Sequence, residues 1–108
     1  MRKILPILIL FTAITASADE VPPTYWIDVR TVEEWNMGHL KGAVHIPYEK
    51  IGKEIAKVTT DKNADIRVYC KVGGRAGIAK ATLEKMGYKN VRNAGGYKKI
   101  LESRKGKK

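Results

Sequence analysis

The sequence predicts an α/β domain in which short parallel strands alternate with helices. Apolar segments of four or five residues recur along the chain, and most are followed by a segment whose apolar residues have helical spacing. No internal repeat, low-complexity tract or long linker interrupts this alternation. The chain has 108 residues, a length that favours one domain with one hydrophobic core.

The first 18 residues have the pattern of a cleaved export signal. A basic pair at positions 2–3 precedes a largely apolar run at 4–14, and residues 16–18 are the small residues of a cleavage site. That run is shorter than the roughly 20 residues needed to cross a bilayer. We therefore expect a signal peptide over residues 1–18, no stable membrane insertion after cleavage, and a periplasmic mature protein, or a secreted one in an organism with one membrane.

The chain is basic, with 21 lysines and arginines, 11 acidic residues and a net charge of +10. After residue 18 there remain 19 basic and 11 acidic residues, so the mature charge is +8. A positive field favours small anionic ligands. No nucleic-acid recognition motif is present, and an export signal argues against a nucleic-acid partner. The basic tail at 104–108 is interpreted as solvated and without assigned function.

The predicted elements follow one another closely. Thr31 and Glu34 have the spacing of a capping box, and the short helix that they start ends at Gly38. Strands are predicted at residues 25–29, 43–46, 66–70 and around Val91, and the later helices at 49–58, 75–86 and 97–103. The helix at 75–86 is expected to bury one apolar face formed by Ile78, Ala79, Thr82, Leu83 and Met86.

Cys70 is the only cysteine, so it cannot form a disulfide within the chain. It is a buried packing residue, an intermolecular link or a reactive thiol. Its place between a strand and a helix N-terminus is where ligands bind in open α/β sheets. Lys71 and Arg75 add positive charge that favours a thiolate, and Gly73 and Gly74 allow backbone N–H groups to form an anion-binding nest. These surroundings favour the reactive thiol.

Four motifs in order resemble those of the rhodanese-like domains, specifically the exported single-domain thiosulfate sulfurtransferases. They are IDVR with EEW at residues 27–35, GHLKGAVHIP at 38–47, CKVGGRA at 70–76, and GYKNV with GGY at 87–97. The resemblance implies one domain over residues 19–103, with a central parallel five-stranded sheet flanked by helices. It implies no cofactor.

The resemblance also implies a two-step sulfur transfer. The Cys70 thiolate would attack the outer sulfur of thiosulfate and release sulfite, and the resulting persulfide would pass its sulfur to a thiophilic acceptor such as cyanide or a thiol. Arg75 would orient the loop and attract the anion, while Asp28 and Arg30 would brace neighbouring loops. The substrate-binding residues would be Lys71, Val72, Gly73, Gly74, Arg75 and Ala76.

Two histidines, His39 and His45, are interpreted as structural, since the scattered histidines and cysteine lack metal-ligand spacing. No metal site is predicted. A monomer is expected, because the sequence has no coiled-coil seam.

Two other functions stay open. Phosphatase or arsenate-reductase chemistry uses a similar loop with five residues between cysteine and arginine, whereas four separate Cys70 from Arg75 here. The second alternative is a non-catalytic sulfur carrier or binding module that a partner protein loads. Ala76-Gly77 stands where the family often has a hydroxyl residue after the arginine, which removes a hydrogen bond available to the loop.

Overall fold

Residues 23–106 are described by the computed structural model, and strands and helices alternate along them as predicted. The predicted signal peptide lies outside these residues. The strands are β1 (Thr24–Asp28), β2 (Val44–His45), β3 (Asp65–Cys70) and β4 (Val91–Gly96). The helices are α1 (Val32–Asn36), α2 (Ile51–Glu54), α3 (Gly74–Lys85) and α4 (Tyr97–Gly106), with 3-10 turns at Tyr48–Lys50 and Ile55–Lys57 on either side of α2.

All strand pairs are parallel, in the order β2-β1-β3-β4. The sheet formed by residues 23–106 therefore has four strands, where the family resemblance implied five. β4 pairs with β3 on one side only and forms an edge, since the described chain supplies no further extended segment beside it. The predicted α/β class and parallel sheet are confirmed.

The core lies between one sheet face and the helices α2 and α3. Ile27, Ile66 and Val68 point from the strands into this core and are fully buried. The capping box that starts α1 is present, and Gly38, which follows the helix, has a φ of 137° that favours glycine. Among residues 23–106 no helix is long and apolar enough to cross a membrane.

Helix α3 buries a narrower face than the sequence predicted. Ala76, Ala79 and Leu83 are fully buried, whereas Ile78 is 53% exposed. The two alanines let the helix backbone approach the sheet closely, and Ile78 lies outside that contact stripe. The predicted helix at 49–58 is likewise divided into α2 and its flanking 3-10 turns, although its Ile51 and Ile55 are buried as the spacing required.

Candidate active site around Cys70

The carboxyl ends of three strands bring the predicted site residues to one edge of the sheet. Asp28 ends β1 and pairs with Tyr69, while Cys70 ends β3 and pairs with Gly96 at the end of β4. Cys70 is 1% exposed and belongs to the core cluster. The thiol therefore lies beneath the loop that follows it.

That loop turns the chain from β3 into α3 within three residues. Gly73 has a φ of 111°, and its N–H donates a hydrogen bond to the Cys70 Sγ at 2.9 Å. This donor and the N-terminus of α3 both favour negative charge on sulfur. Only Gly73 uses a conformation reserved for glycine; Gly74 is already the first residue of α3.

Arg75 is held by an ion pair that the sequence analysis did not find. Its guanidinium donates to both carboxylate oxygens of Glu34, at 2.8 and 3.1 Å, across 41 positions of sequence. The hydrogen bond from Arg75 lowers the pKa of Glu34 to about 2, and the carboxylate raises the pKa of Arg75 in return. The pair fixes α1 to the first turn of α3, beside the Cys70 loop.

Asp28 and Arg30 form a buried ion pair with an Nη2–Oδ2 distance of 2.7 Å. The same Arg30 nitrogen donates to the Gly38 carbonyl at 2.6 Å, and the guanidinium lies 4.5 Å from the centre of the Tyr97 ring. The hydrogen bonds that Arg30 donates to the Asp28 carboxylate raise the pKa of Arg30. These contacts join the end of β1 to Gly38, two residues beyond α1, and to the start of α4, and none of them reaches Cys70.

Asn93 is a second residue that the sequence analysis missed. Its side-chain amide donates to the Gly73 carbonyl at 2.9 Å, and its Oδ1 accepts the Gly95 N–H at 2.9 Å. A bulge in the β3–β4 register lies at the same place, because Val68 pairs with Asn93 while Tyr69 pairs with Gly95. The Asn-x-Gly spacing of a side-chain turn was the available signal.

Gly96 lies directly against the backbone of the Cys70 loop. A Cβ atom added there would collide with the Lys71 carbonyl oxygen and approach the Val72 Cα to 3.2 Å. Glycine is therefore required for β4 to pass beneath the loop. Ala76 is fully buried, and its side chain offers no polar group to a ligand.

A groove of about 870 Å³ adjoins the loop. It lies between the end of α1, the first loop residues and the β4–α4 junction, and its lining includes the side chains of Met37, Lys71, Val72, Tyr97, Lys98 and Lys99. Lys71 and Val72, both predicted to bind substrate, are exposed along it.

The two histidines lie apart from Cys70 in an aromatic stack. Trp35 lies between them, with ring centres 3.4 Å from His39 and 4.9 Å from His45. The His45 Nε2 also contacts the Arg30 carbonyl oxygen at 2.8 Å. Within the described part of the chain, no cluster of three potential metal ligands occurs.

A parallel α/β sheet with a cysteine loop at its carboxyl edge is the architecture that the motifs implied, and the family comparison agrees with it. The family model of the rhodanese-like domain matches residues 13–103. The chain belongs to the rhodanese-like domain family.

Individual relatives agree with this assignment. The chain is 40% identical over 92 residues to the thiosulfate sulfurtransferase PspE of Escherichia coli K12, which covers 85% of this chain and 88% of that protein. A solved rhodanese with anions from E. coli superimposes with a TM-score of 0.68 at 43% identity, covering 70% of this chain and 89% of that one. A putative sulfur carrier protein of Bacillus subtilis is 36% identical over 62% of this chain, but the match spans only 35% of that relative.

Proposed function

We propose that the protein is a thiosulfate sulfurtransferase that works through a persulfide on Cys70. The observation that carries the proposal is the Cys70 Sγ placed at the carboxyl end of β3, where it accepts the Gly73 N–H at the start of α3. The relation to a thiosulfate sulfurtransferase along most of both chains supports the same donor.

In the first step the Cys70 thiolate attacks the outer sulfur of thiosulfate. A bond forms between Sγ and that sulfur, the sulfur–sulfur bond of thiosulfate breaks, and sulfite leaves with the bonding electron pair. The burial of Cys70 restricts access to a small donor. Backbone amides of residues 71–76 would then hold the negative outer sulfur, in the manner of other preorganised anion sites.

The remaining predicted residues have positioning roles in this proposal. Arg75 orients the loop through its ion pair with Glu34. Because the guanidinium is already paired, we assign it no direct contact with thiosulfate, only a weaker electrostatic attraction at longer distance. Asp28 and Arg30 brace the neighbouring loops through Gly38. Lys71, which forms no ion pair within residues 23–106, supplies positive charge at the groove.

Mass spectrometry of the mature protein before and after addition of thiosulfate tests the proposal, with sulfite measured in parallel. We expect a gain of one sulfur atom on Cys70 and one equivalent of sulfite, both absent in Cys70→Ala. Expression of the full chain tests the proposed export to the periplasm, since the protein recovered there after signal cleavage should begin at residue 19. A folded, reduced protein that gains no sulfur and releases no sulfite would contradict the proposal.

A sulfur carrier is the second candidate, favoured by Ala76, whose side chain next to Arg75 offers no hydroxyl group to the loop. A carrier loaded by a partner protein would hold a persulfide without turning over free thiosulfate. Continuous release of sulfite in the presence of thiosulfate and cyanide identifies the enzyme, while transfer only from a persulfidated protein identifies the carrier.

A further inference from the structure

The groove beside the Cys70 loop has an unusual apolar lining. Six large apolar side chains are exposed among residues 23–106, and the two most exposed, Met37 at 86% and Val72 at 82%, both line this groove. Scattered exposed apolar residues are ordinary, but two that line one cleft mark a binding surface.

The same groove carries uncompensated positive charge. Lys71, Lys98 and Lys99 line it, and within residues 23–106 none of the three forms an ion pair. The other charged groups there, Arg30 and Glu34, are already paired with Asp28 and Arg75. A ligand of this groove therefore meets apolar walls together with three free ammonium groups, which complement an acidic and partly apolar partner.

The groove also lies next to the Cys70 loop. Gly96, the sheet partner of Cys70, lines it together with Lys71 and Val72, the two residues that follow Cys70. A volume of about 870 Å³ greatly exceeds what thiosulfate fills. The space suits the second reactant of a double displacement rather than the first.

We infer that this groove binds an acidic, thiol-bearing segment of an acceptor protein, whose cysteine takes the sulfur from Cys70. The inference rests on the proposed persulfide. The acceptor thiolate attacks the outer persulfide sulfur, the Sγ–S bond breaks, and Cys70 leaves as a thiolate. The acceptor becomes a persulfide, its thiol proton passes to water, and no external oxidant or reductant is consumed.

Two synthetic peptides test the charge requirement: Glu-Leu-Cys-Gly-Glu and its counterpart with lysine in place of both glutamates. We expect the wild-type persulfide to transfer sulfur to the acidic peptide with a kcat/KM roughly tenfold above that for the basic one. The double variant Lys98→Glu/Lys99→Glu should reverse this preference. Lys89→Glu, an exposed lysine that does not line this groove, is the control and should keep it.

Apolar contact is tested separately with Met37→Ser. We expect this variant to have a several-fold higher KM for the acidic peptide. Replacing the leucine of the peptide with serine should then raise the KM of the variant no further, because the apolar contact is already lost. Ile78→Ser, at an exposed apolar residue outside the groove, should leave the KM unchanged.

The sulfite burst from thiosulfate is recorded for every variant before any peptide is added. A missing burst in the wild type would refute the persulfide itself, independently of the groove. A normal burst with equal transfer to both peptides would overturn the groove proposal alone. Glutathione serves as a small acidic thiol, and faster transfer to it than to the acidic peptide would also overturn the proposal, in favour of a low-molecular-weight acceptor.

Discussion

Asn93 connects the turn of the Cys70 loop to β4 through one side-chain amide. Its donor holds the Gly73 carbonyl, and the N–H of the same glycine faces the Cys70 Sγ at 2.9 Å. Asn93 does not touch the sulfur, so it is a positioning residue. It acts on the thiol through the backbone conformation of Gly73, whose carbonyl also accepts the Gly77 N–H at 3.0 Å.

Asn93→Ala should therefore weaken the hydrogen bond that the Cys70 Sγ accepts. We expect the reaction of Cys70 with iodoacetamide at neutral pH to become several-fold slower, because the Gly73 N–H is held less firmly towards sulfur. The sulfite burst should slow by a similar factor. The alkylation rate at one fixed neutral pH is the measurement.

Asn90→Ala is the matched control for that variant. The Asn90 amide also donates to a backbone carbonyl, that of Asn63, at 2.8 Å, but it lies beyond the opposite end of β4. Each variant loses stabilisation of about 0.5–1.5 kcal/mol from its hydrogen bond, so the melting temperatures should fall similarly. An equal fall of the alkylation rate in both variants would show that Asn93 has only a general structural role.

At the scale of elements, the Glu34–Arg75 pair joins α1 to α3 and makes their contact sensitive to acid. The pKa of Glu34 is lowered from 4.5 to about 2. A carboxylate whose pKa is lowered by folding stabilises the protein at any pH above the pKa that it has in the unfolded chain. This contribution is lost as the pH falls from 4.5 towards 2.

Glu34→Gln removes the charge but keeps a side chain that can complete the capping box with Thr31. We expect it to lower the melting temperature near neutral pH, and the difference from the wild type to shrink as the pH falls from about 5 to 2. Melting temperature against pH is the measurement. Glu33→Gln, on an exposed residue of the same helix, is the control. If the melting temperature of Glu34→Gln differed from that of the wild type by the same amount at every pH, the lowered pKa of Glu34 would be contradicted.

These elements also show which parts of the site a sequence reveals. The loop from Cys70 to Arg75 is local, so its strand, glycine turn and helix could be predicted from adjacent residues. The partners of that loop could not: Glu34 is 41 positions from Arg75, and Asn93 is 20 positions from Gly73. Ile78 was misassigned for a related reason, because helical spacing gives an apolar face but not the width of the stripe that packs.

For the molecule as a whole, the net charge and the charge next to the candidate site are both positive. Basic residues exceed acidic ones by 10, and three lysines that form no ion pair within the described part of the chain line the groove next to the Cys70 loop. Thiosulfate is an anion, and a positive field raises the rate at which anions reach a site. The excess charge is thus expected to act on association with the donor rather than on the fold.

Salt should therefore slow the reaction with thiosulfate more than the reaction of the same thiol with an uncharged reagent. Between ionic strengths of about 10 and 500 mM the screening length falls to a few ångströms, and we expect the second-order rate constant of the sulfite burst to fall several-fold. Alkylation of Cys70 by iodoacetamide, measured at the same pH and ionic strengths, corrects for any effect of salt on the thiolate itself. Equal salt responses of the two reactions would mean that the positive charge does not steer the donor, and the lysines of the groove would then act only on the acceptor.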